Sequence, residues 1–215
     1  MTETQHDDLI LAVATAPRGN SPHWKNDTVA WWKLLTWVDS PAHVKDCGNY
    51  MLGELAATPH LPHKDCSKQP CTDLHRNREA VVHRSGVTLD VDYPDAGFLE
   101  RLADLGWETL VHTTYSSTPA SPRYRVILPA NRSVLPDEYR TLTKHLMREL
   151  GQEVFDKGSA EPERYMFRPS AAPGQTIEHW HFRGPLLNVD EQLVDAAMAA
   201  LEEPEEAREE PIRPE

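Results

Sequence analysis

Val87-Thr88-Leu89-Asp90-Val91-Asp92 alternates apolar and polar side chains and ends on two acids. As a strand it turns Val87, Leu89 and Val91 toward a packed layer and leaves Thr88, Asp90 and Asp92 on the opposite face. At about 3.3 Å per residue the two aspartate Cα atoms lie roughly 6–7 Å apart, within reach of a pair of divalent ions about 3.5–4 Å from each other. An isolated Asp-x-Asp is more often a strand ending in solvated acids, so the flanking sequence must decide between the two readings.

Downstream, the periodicity predicts a helix over Ala96–Leu105 with Phe98, Leu99, Leu102 and Leu105 on one side, then strands at Thr109–Tyr115 and Tyr124–Leu128. Pro136 opens a second helix, whose buried stripe of Tyr139, Leu142, Leu146 and Leu150 runs to Gly151, and Arg164–Arg168 reads as a fourth strand. The order strand-helix-strand-strand-helix-strand is that of an RRM-like split-βαβ sheet, an α+β fold. Its first strand is expected between the third and fourth, with both helices on one face and the other face open. In that register Tyr124, Val126, Leu128, Tyr165 and Phe167 point to the helices, while Arg123, Arg125, Arg164, Met166 and Arg168 point to the open face. Four arginines would then flank two aspartates. Phosphoryl and nucleotidyl transfer need such a set, because metals polarise the reacting phosphate and the planar fork of arginine grips the remaining phosphate oxygens.

Upstream, Leu9–Thr15 is a short apolar run, and Asp27–Val38 reads as a buried helix capped by Asp27, with Trp31, Trp32 and Trp37 in its core. Residues 1–83 are expected to form an N-terminal α/β unit, 84–201 the sheet domain and 202–215 an acidic disordered tail. Within the first unit, residues 58–77 are rich in Pro, His, Cys and charge. The spacing His63-x2-Cys66-x4-Cys71-x3-His75 can close a tetrahedral structural zinc site, with Cys47 and His60 as alternative ligands. The opposing reading is free thiols and solvated histidines, since disulfides are not expected in the cytoplasm.

At 215 residues the chain can bury a substantial core as one large domain, with or without a subdomain. No apolar run approaches a membrane span, and the polar start Met1-Thr2-Glu3-Thr4-Gln5 lacks signal-peptide regions, so a cytoplasmic location is expected with no membrane partner. The net charge of −12 argues against a protein that coats nucleic acid. Its distribution is uneven: Glu202–Glu215 carries seven Glu against two Arg, whereas Arg123–Arg168 holds nine Lys and Arg against seven acids, leaving room for a local basic surface.

Four stretches together carry a family resemblance: Ser85–Asp92; His112-Thr113-Thr114-Tyr115-Ser116-Ser117-Thr118-Pro119; Pro122–Pro129; and Pro162-Glu163-Arg164-Tyr165-Met166-Phe167-Arg168-Pro169-Ser170. In this order they resemble the archaeo-eukaryotic primase superfamily, most of all the compact primase–polymerases of phages and mobile elements. The resemblance spans roughly residues 85–190. It implies a two-metal nucleotidyl transferase, using Mg²⁺ or Mn²⁺, that makes or extends primers on a single-stranded DNA template from nucleoside triphosphates. Asp90 and Asp92 match the first acidic motif, and Asp156 in Val154-Phe155-Asp156 is the candidate third acid, with Glu161 or Glu153 as substitutes. The second motif usually carries a Ser and a His; here no histidine stands two residues after Ser116. Triphosphate binding would therefore lean on Ser116, Arg123, Arg125 or His112, with Arg164 and Arg168 completing the nucleotide-binding set.

Two other readings stay open. A non-catalytic nucleotide- or single-strand-binding module could use the same sheet. His179-Trp180-His181 could hold one metal, as in replication-initiator nucleases, although no tyrosine follows it to act as the nucleophile. The chain has no Gly-x4-Gly-Lys-Ser/Thr loop, so a separate helicase is the implied partner.

Overall fold

The structure, a computed structural model, describes residues 6, 8–19, 21–58 and 71–202. The tail after residue 202 and the candidate ligands His60, His63 and Cys66 lie outside the described residues. The strands are β1 (Ile10–Ala16), β2 (Lys25–Ala30), β3 (Asn49–Leu55), β4 (Val81–Val91), β5 (Thr109–Thr113), β6 (Tyr124–Val134), β7 (Met166–Phe167) and β8 (His179–Phe182). The helices are α1 (Trp31–Leu35), α2 (Phe98–Asp104), α3 (Pro136–Leu150) and α4 (Val189–Glu202). The strands pair antiparallel in the order β2-β1-β3-β4-β6-β5-β8, with β7 attached to β3. The fold is thus a mixed α/β arrangement on one antiparallel sheet.

One face of that sheet is packed as the alternation requires. Val87, Leu89 and Val91 of β4 and Val126 and Leu128 of β6 meet Phe98 and Leu102 of α2, Tyr139, Leu142 and Leu146 of α3, and Val189 of α4, all buried. Pro136 stands in the first turn of α3, where no N–H is needed, and the Glu138 carboxylate accepts from the Leu135 N–H at 2.8 Å. Gly151 ends the helix at φ +99°, in the region that favours glycine.

The opposite face is only partly open. Leu110 and Ile127 on its lower half are covered by Leu11, Trp31, Leu34, Tyr50 and Leu52 of the N-terminal elements, forming a second core. The upper part, around Asp90, Arg125 and His112, lines a cavity. The expected boundary at residue 83/84 falls inside β4, whose first half pairs with β3 and whose second half pairs with β6.

Three sequence expectations change. Asp27 lies in β2 rather than capping a helix, because residues 25–30 are paired along β1; the helix is confined to Trp31–Leu35, and Trp32 is 53% exposed. The fourth strand is two residues long and pairs with β3 instead of β4. The physical reason lies at the β4 edge: the Asp90 N–H donates to Ser159 Oγ at 2.9 Å and the Asp90 carbonyl accepts from the Asp156 N–H at 2.9 Å, so the loop after α3 already satisfies that edge. Finally, the phase of residues 164–168 is reversed in part. Met166 is buried in the second core, while Phe167 stands at the cavity wall and Tyr165 packs edge-on against Trp24.

Candidate active site

The paired strands set side chains in a row across the open part of the sheet. Asp90 on β4 stands opposite Arg125 on β6, Arg125 opposite His112 on β5, and His112 opposite His179 on β8. Asp90, Arg125 and His112 of this row border a cavity of about 250 Å³ that is also lined by Lys45, Asp92, Ser116, Arg123, Arg164 and Arg168. Five cationic side chains around two acids make it a place for an anion.

Each acid is held by arginine. Arg125 Nη2 donates to Asp90 Oδ1 at 3.1 Å, Arg123 Nη1 to Asp92 Oδ1 at 3.0 Å, and Arg164 Nη2 to Asp156 Oδ2 at 2.5 Å and to Asp90 Oδ2 at 3.4 Å. Burial works to raise the Asp90 pKa, but Arg125 and Arg164 together outweigh it and hold the carboxyl below its usual range. Asp156 does two jobs. Its Oδ1 accepts from the Gly158 N–H at 2.8 Å and shapes the turn, and its Oδ2 faces Arg164. The alternative acids are elsewhere: Glu161 faces Arg140 at 3.9 Å, and Glu153 is exposed beside Gly151.

Among the described residues no three His, Cys, Asp or Glu side chains are grouped as ligands for a metal. Asp90 and Asp156 nevertheless fit a divalent ion in donor chemistry, being hard carboxylate oxygens, and one nitrogen of Arg164 already bridges them as a cation. Asp92 lines the same cavity as Asp90 but is turned to Arg123.

His112 is buried, and its Nδ1 lies 2.8 Å from the Thr113 carbonyl oxygen, which can only accept, so Nδ1 carries the proton. Nε2 has no hydrogen-bond partner among the described residues. Burial, reinforced by Arg125, pushes the imidazole from its ordinary 6.5 down to about 4. Between these values the unfolded chain binds a proton that the native chain does not, so this contribution to stability is complete above about pH 6.5 and is lost as pH falls toward 4. Unfolding measured from pH 7 to 4.5 is expected to show a slope that His112→Gln reduces by up to about 1.4 kcal/mol per pH unit. Equal slopes in the two proteins would rule this out.

Behind the row sits a residue with no local sequence signal. Arg84 is fully buried where β3 and β4 part, and its guanidinium is held by backbone carbonyls and a hydroxyl. Its Nε donates to the Leu52 carbonyl at 2.6 Å, Nη1 to those of Pro162 at 2.7 Å and Arg164 at 3.3 Å, and Nη2 to Thr88 Oγ1 at 3.0 Å. The guanidinium lies 4.3 Å from the centre of the Tyr139 ring, and the Tyr139 hydroxyl donates to the Ser159 carbonyl at 3.1 Å. Arg84 therefore ties β3, β4 and the loop bearing Arg164 into one unit.

The other candidate groups are placed differently. Ser116 is exposed at the cavity rim, and Ser117 Oγ, not Ser116, accepts from the Arg123 N–H at 3.1 Å. Arg168 is exposed, stacks at 5.1 Å over Trp37, and also borders a second groove. Lys45, Phe167 and Ser170, which line the cavity, were not among the residues expected from sequence. His179 and His181 share a strand face, but His181 Nε2 lies 2.6 Å from Glu108, which also accepts from Trp31 Nε1 at 2.6 Å. Cys71 is disulfide-bonded and buried, with its Sγ 3.1 Å from His75 Nε2; an oxidised sulfur is not a zinc donor, so the zinc set would require that bond reduced. Cys47 is a free thiol that donates to the Arg168 carbonyl at 3.6 Å.

No helix among the described residues is long and apolar enough to cross a membrane. No curated protein matches the sequence. In structure the chain is similar to the AEP domain of the cyanophage S-2L primase–polymerase, with a TM-score of 0.45 and 13% identity over 86% of this chain and 87% of that one. Residues 1–197 match the family described as the VapE N-terminal domain, and the chain belongs to that family.

Proposed function

We propose that this chain is a nucleotidyl transferase of the primase–polymerase type, which binds a nucleoside triphosphate in the cavity beside Asp90 and joins it to a strand paired with a DNA template. The observation that carries this reading is the convergence of Asp90 and Asp156, from separate elements, on Arg164, beside a cavity lined by Asp90 and Asp92 and by Lys45, Arg123, Arg125, Arg164 and Arg168. Acids gathered beside an excess of cations suit a substrate whose reacting phosphate needs a metal and whose remaining phosphates need fixed positive charge. The motif resemblance of residues 85–190 supports the same reading and, with it, a catalytic sheet centred on β4, β6 and β5.

The residues divide the work by position. Asp90, Asp156 and Asp92 offer carboxylate oxygens to Mg²⁺ or Mn²⁺, which when bound would neutralise charge on the reacting oxygens. Arg125 is anchored by the Phe167 carbonyl at 2.9 Å and is 7% exposed, so it presents a fixed charge to the polyphosphate. Arg123 and Arg168, nearer solvent, hold its outer phosphates. His112 Nε2 can only accept, so it suits a donor such as a sugar hydroxyl or Arg125 Nε–H better than a phosphate.

Incorporation of labelled nucleotides is the test, run with and without a primer on single-stranded DNA in Mg²⁺ and in Mn²⁺. Template-dependent product is the expected result. Triphosphate binding with no incorporation under any of these conditions would instead leave a non-catalytic binding module.

A further inference from the structure

Arg164 Nη2 bridges Asp156 Oδ2 and Asp90 Oδ2. The other oxygen of each acid is already engaged, Asp90 Oδ1 by Arg125 and Asp156 Oδ1 by the Gly158 N–H. The two Oδ2 atoms are therefore the pair through which both carboxylates can meet a single cation. A divalent ion bound at about 2.0–2.1 Å from such oxygens leaves no place for a guanidinium nitrogen at hydrogen-bond distance from both, and the two positive charges repel.

We propose that Arg164 is an internal competitor for the divalent ion: metal and guanidinium exclude each other at the Asp90–Asp156 pair, and metal binding turns Arg164 out toward the anionic substrate. The inference rests on the metal-dependent reading above and adds to it a coupling between cation and anion binding. Three features single out Arg164 for this exchange. Its backbone is fixed, with its N–H on the Glu161 carbonyl at 2.9 Å and its carbonyl held by Arg84, so only the side chain has to move. That side chain is 32% exposed and borders the cavity, so it has somewhere to go, whereas Arg125 is 7% exposed and anchored. Gly158 gives it room, since a Cβ there would lie 3.0 Å from Arg164 Nη1. Once released, Arg164 joins Arg168 on the cavity wall, so each ligand promotes the other by the same factor.

Binding of Mn²⁺ to the full chain, followed by the electron paramagnetic resonance of the free ion, tests this without reference to activity. Wild type, Arg164→Gln, Arg164→Met and Arg168→Gln are compared after circular dichroism confirms their folds. Removing a partly exposed bridging charge is expected to tighten Mn²⁺ binding roughly tenfold in both Arg164 variants. Arg168→Gln removes an equal cavity charge, but one that stacks on Trp37 and does not hold Asp90, Asp92 or Asp156, and is expected to change it less than about threefold. If wild type binds Mn²⁺ and the folded Arg164 variants bind it no more tightly, or Arg168→Gln tightens it equally, the competition is refuted while the metal-dependent function stands. If neither wild type nor the Arg164 variants bind Mn²⁺, both fall.

Discussion

Asp90→Asn is expected to lower template-directed nucleotide incorporation on the order of 10²–10³-fold, and Asp92→Asn to lower it by a similar factor, because each removes a negative charge that no neighbouring group can replace. Asparagine keeps the shape of the side chain and one acceptor oxygen, so the comparison isolates charge from packing. At Asp90 the effect has a structural component as well. Arg125 would retain the Phe167 carbonyl but lose its anion in a site where it is 7% exposed, which is expected to cost about 1–3 kcal/mol of stability. Asp92 and Arg123 are 28% and 35% exposed, so water screens that pair and its loss should weaken the fold less. Because Arg125 and Arg164 hold the Asp90 carboxyl ionised well into acid, the contrast between wild type and variant should persist across the neutral pH range. Incorporation assays on variants with native circular dichroism decide the matter: full activity in both would remove these acids from the chemistry.

Arg84→Met is expected to destabilise the protein by about 3–5 kcal/mol, which for a chain of this size lowers Tm by roughly 6–20 °C. The loss does not come from a broken ion pair. The Leu52, Pro162 and Arg164 carbonyls and the Thr88 hydroxyl all meet the Arg84 guanidinium, and an apolar replacement leaves those contacts unmade in a place water does not reach. Lysine should not restore them, because a single ammonium cannot span acceptors on three separate segments as a planar fork does. Since Arg84 holds the backbone of Arg164, incorporation is expected to fall further than the change in folded fraction explains. Thermal unfolding of Arg84→Met and Arg84→Lys is the measurement, and wild-type stability in the lysine variant would show that the fork geometry is irrelevant.

Residues that were legible in the sequence share one property: their positions follow from periodicity along a single segment. Val87, Leu89 and Val91 face the helices and Asp90 faces away because side chains alternate on a strand that packs on one side only. Tyr124, Val126 and Arg125 follow the same rule on β6, and α3 starts at Pro136 and ends before Gly151 for local backbone reasons. Where an element is short or contested, that logic weakens. Residues 164–168 alternate as a strand, yet the edge they would have joined is satisfied by the Asp156 N–H and the Ser159 hydroxyl, so they pair with β3 and Met166 turns inward. Trp31 and Trp32 look alike in a helical pattern, but only Trp31 finds Glu108 for its indole N–H.

The sequence by itself determined which side chains each long strand and helix would present to a core, and that two aspartates at the end of β4 and two arginines at the start of β6 would stand together. Tertiary structure alone decided that Arg84, Leu52, Pro162 and Arg164 meet, that Arg164 lies between Asp90 and Asp156, and that the N-terminal strands cover the lower half of the sheet. The reason is range. Backbone periodicity acts between residues a few positions apart, whereas these contacts satisfy buried polar and charged groups with partners 8 to 80 positions away, which only the folded chain can select.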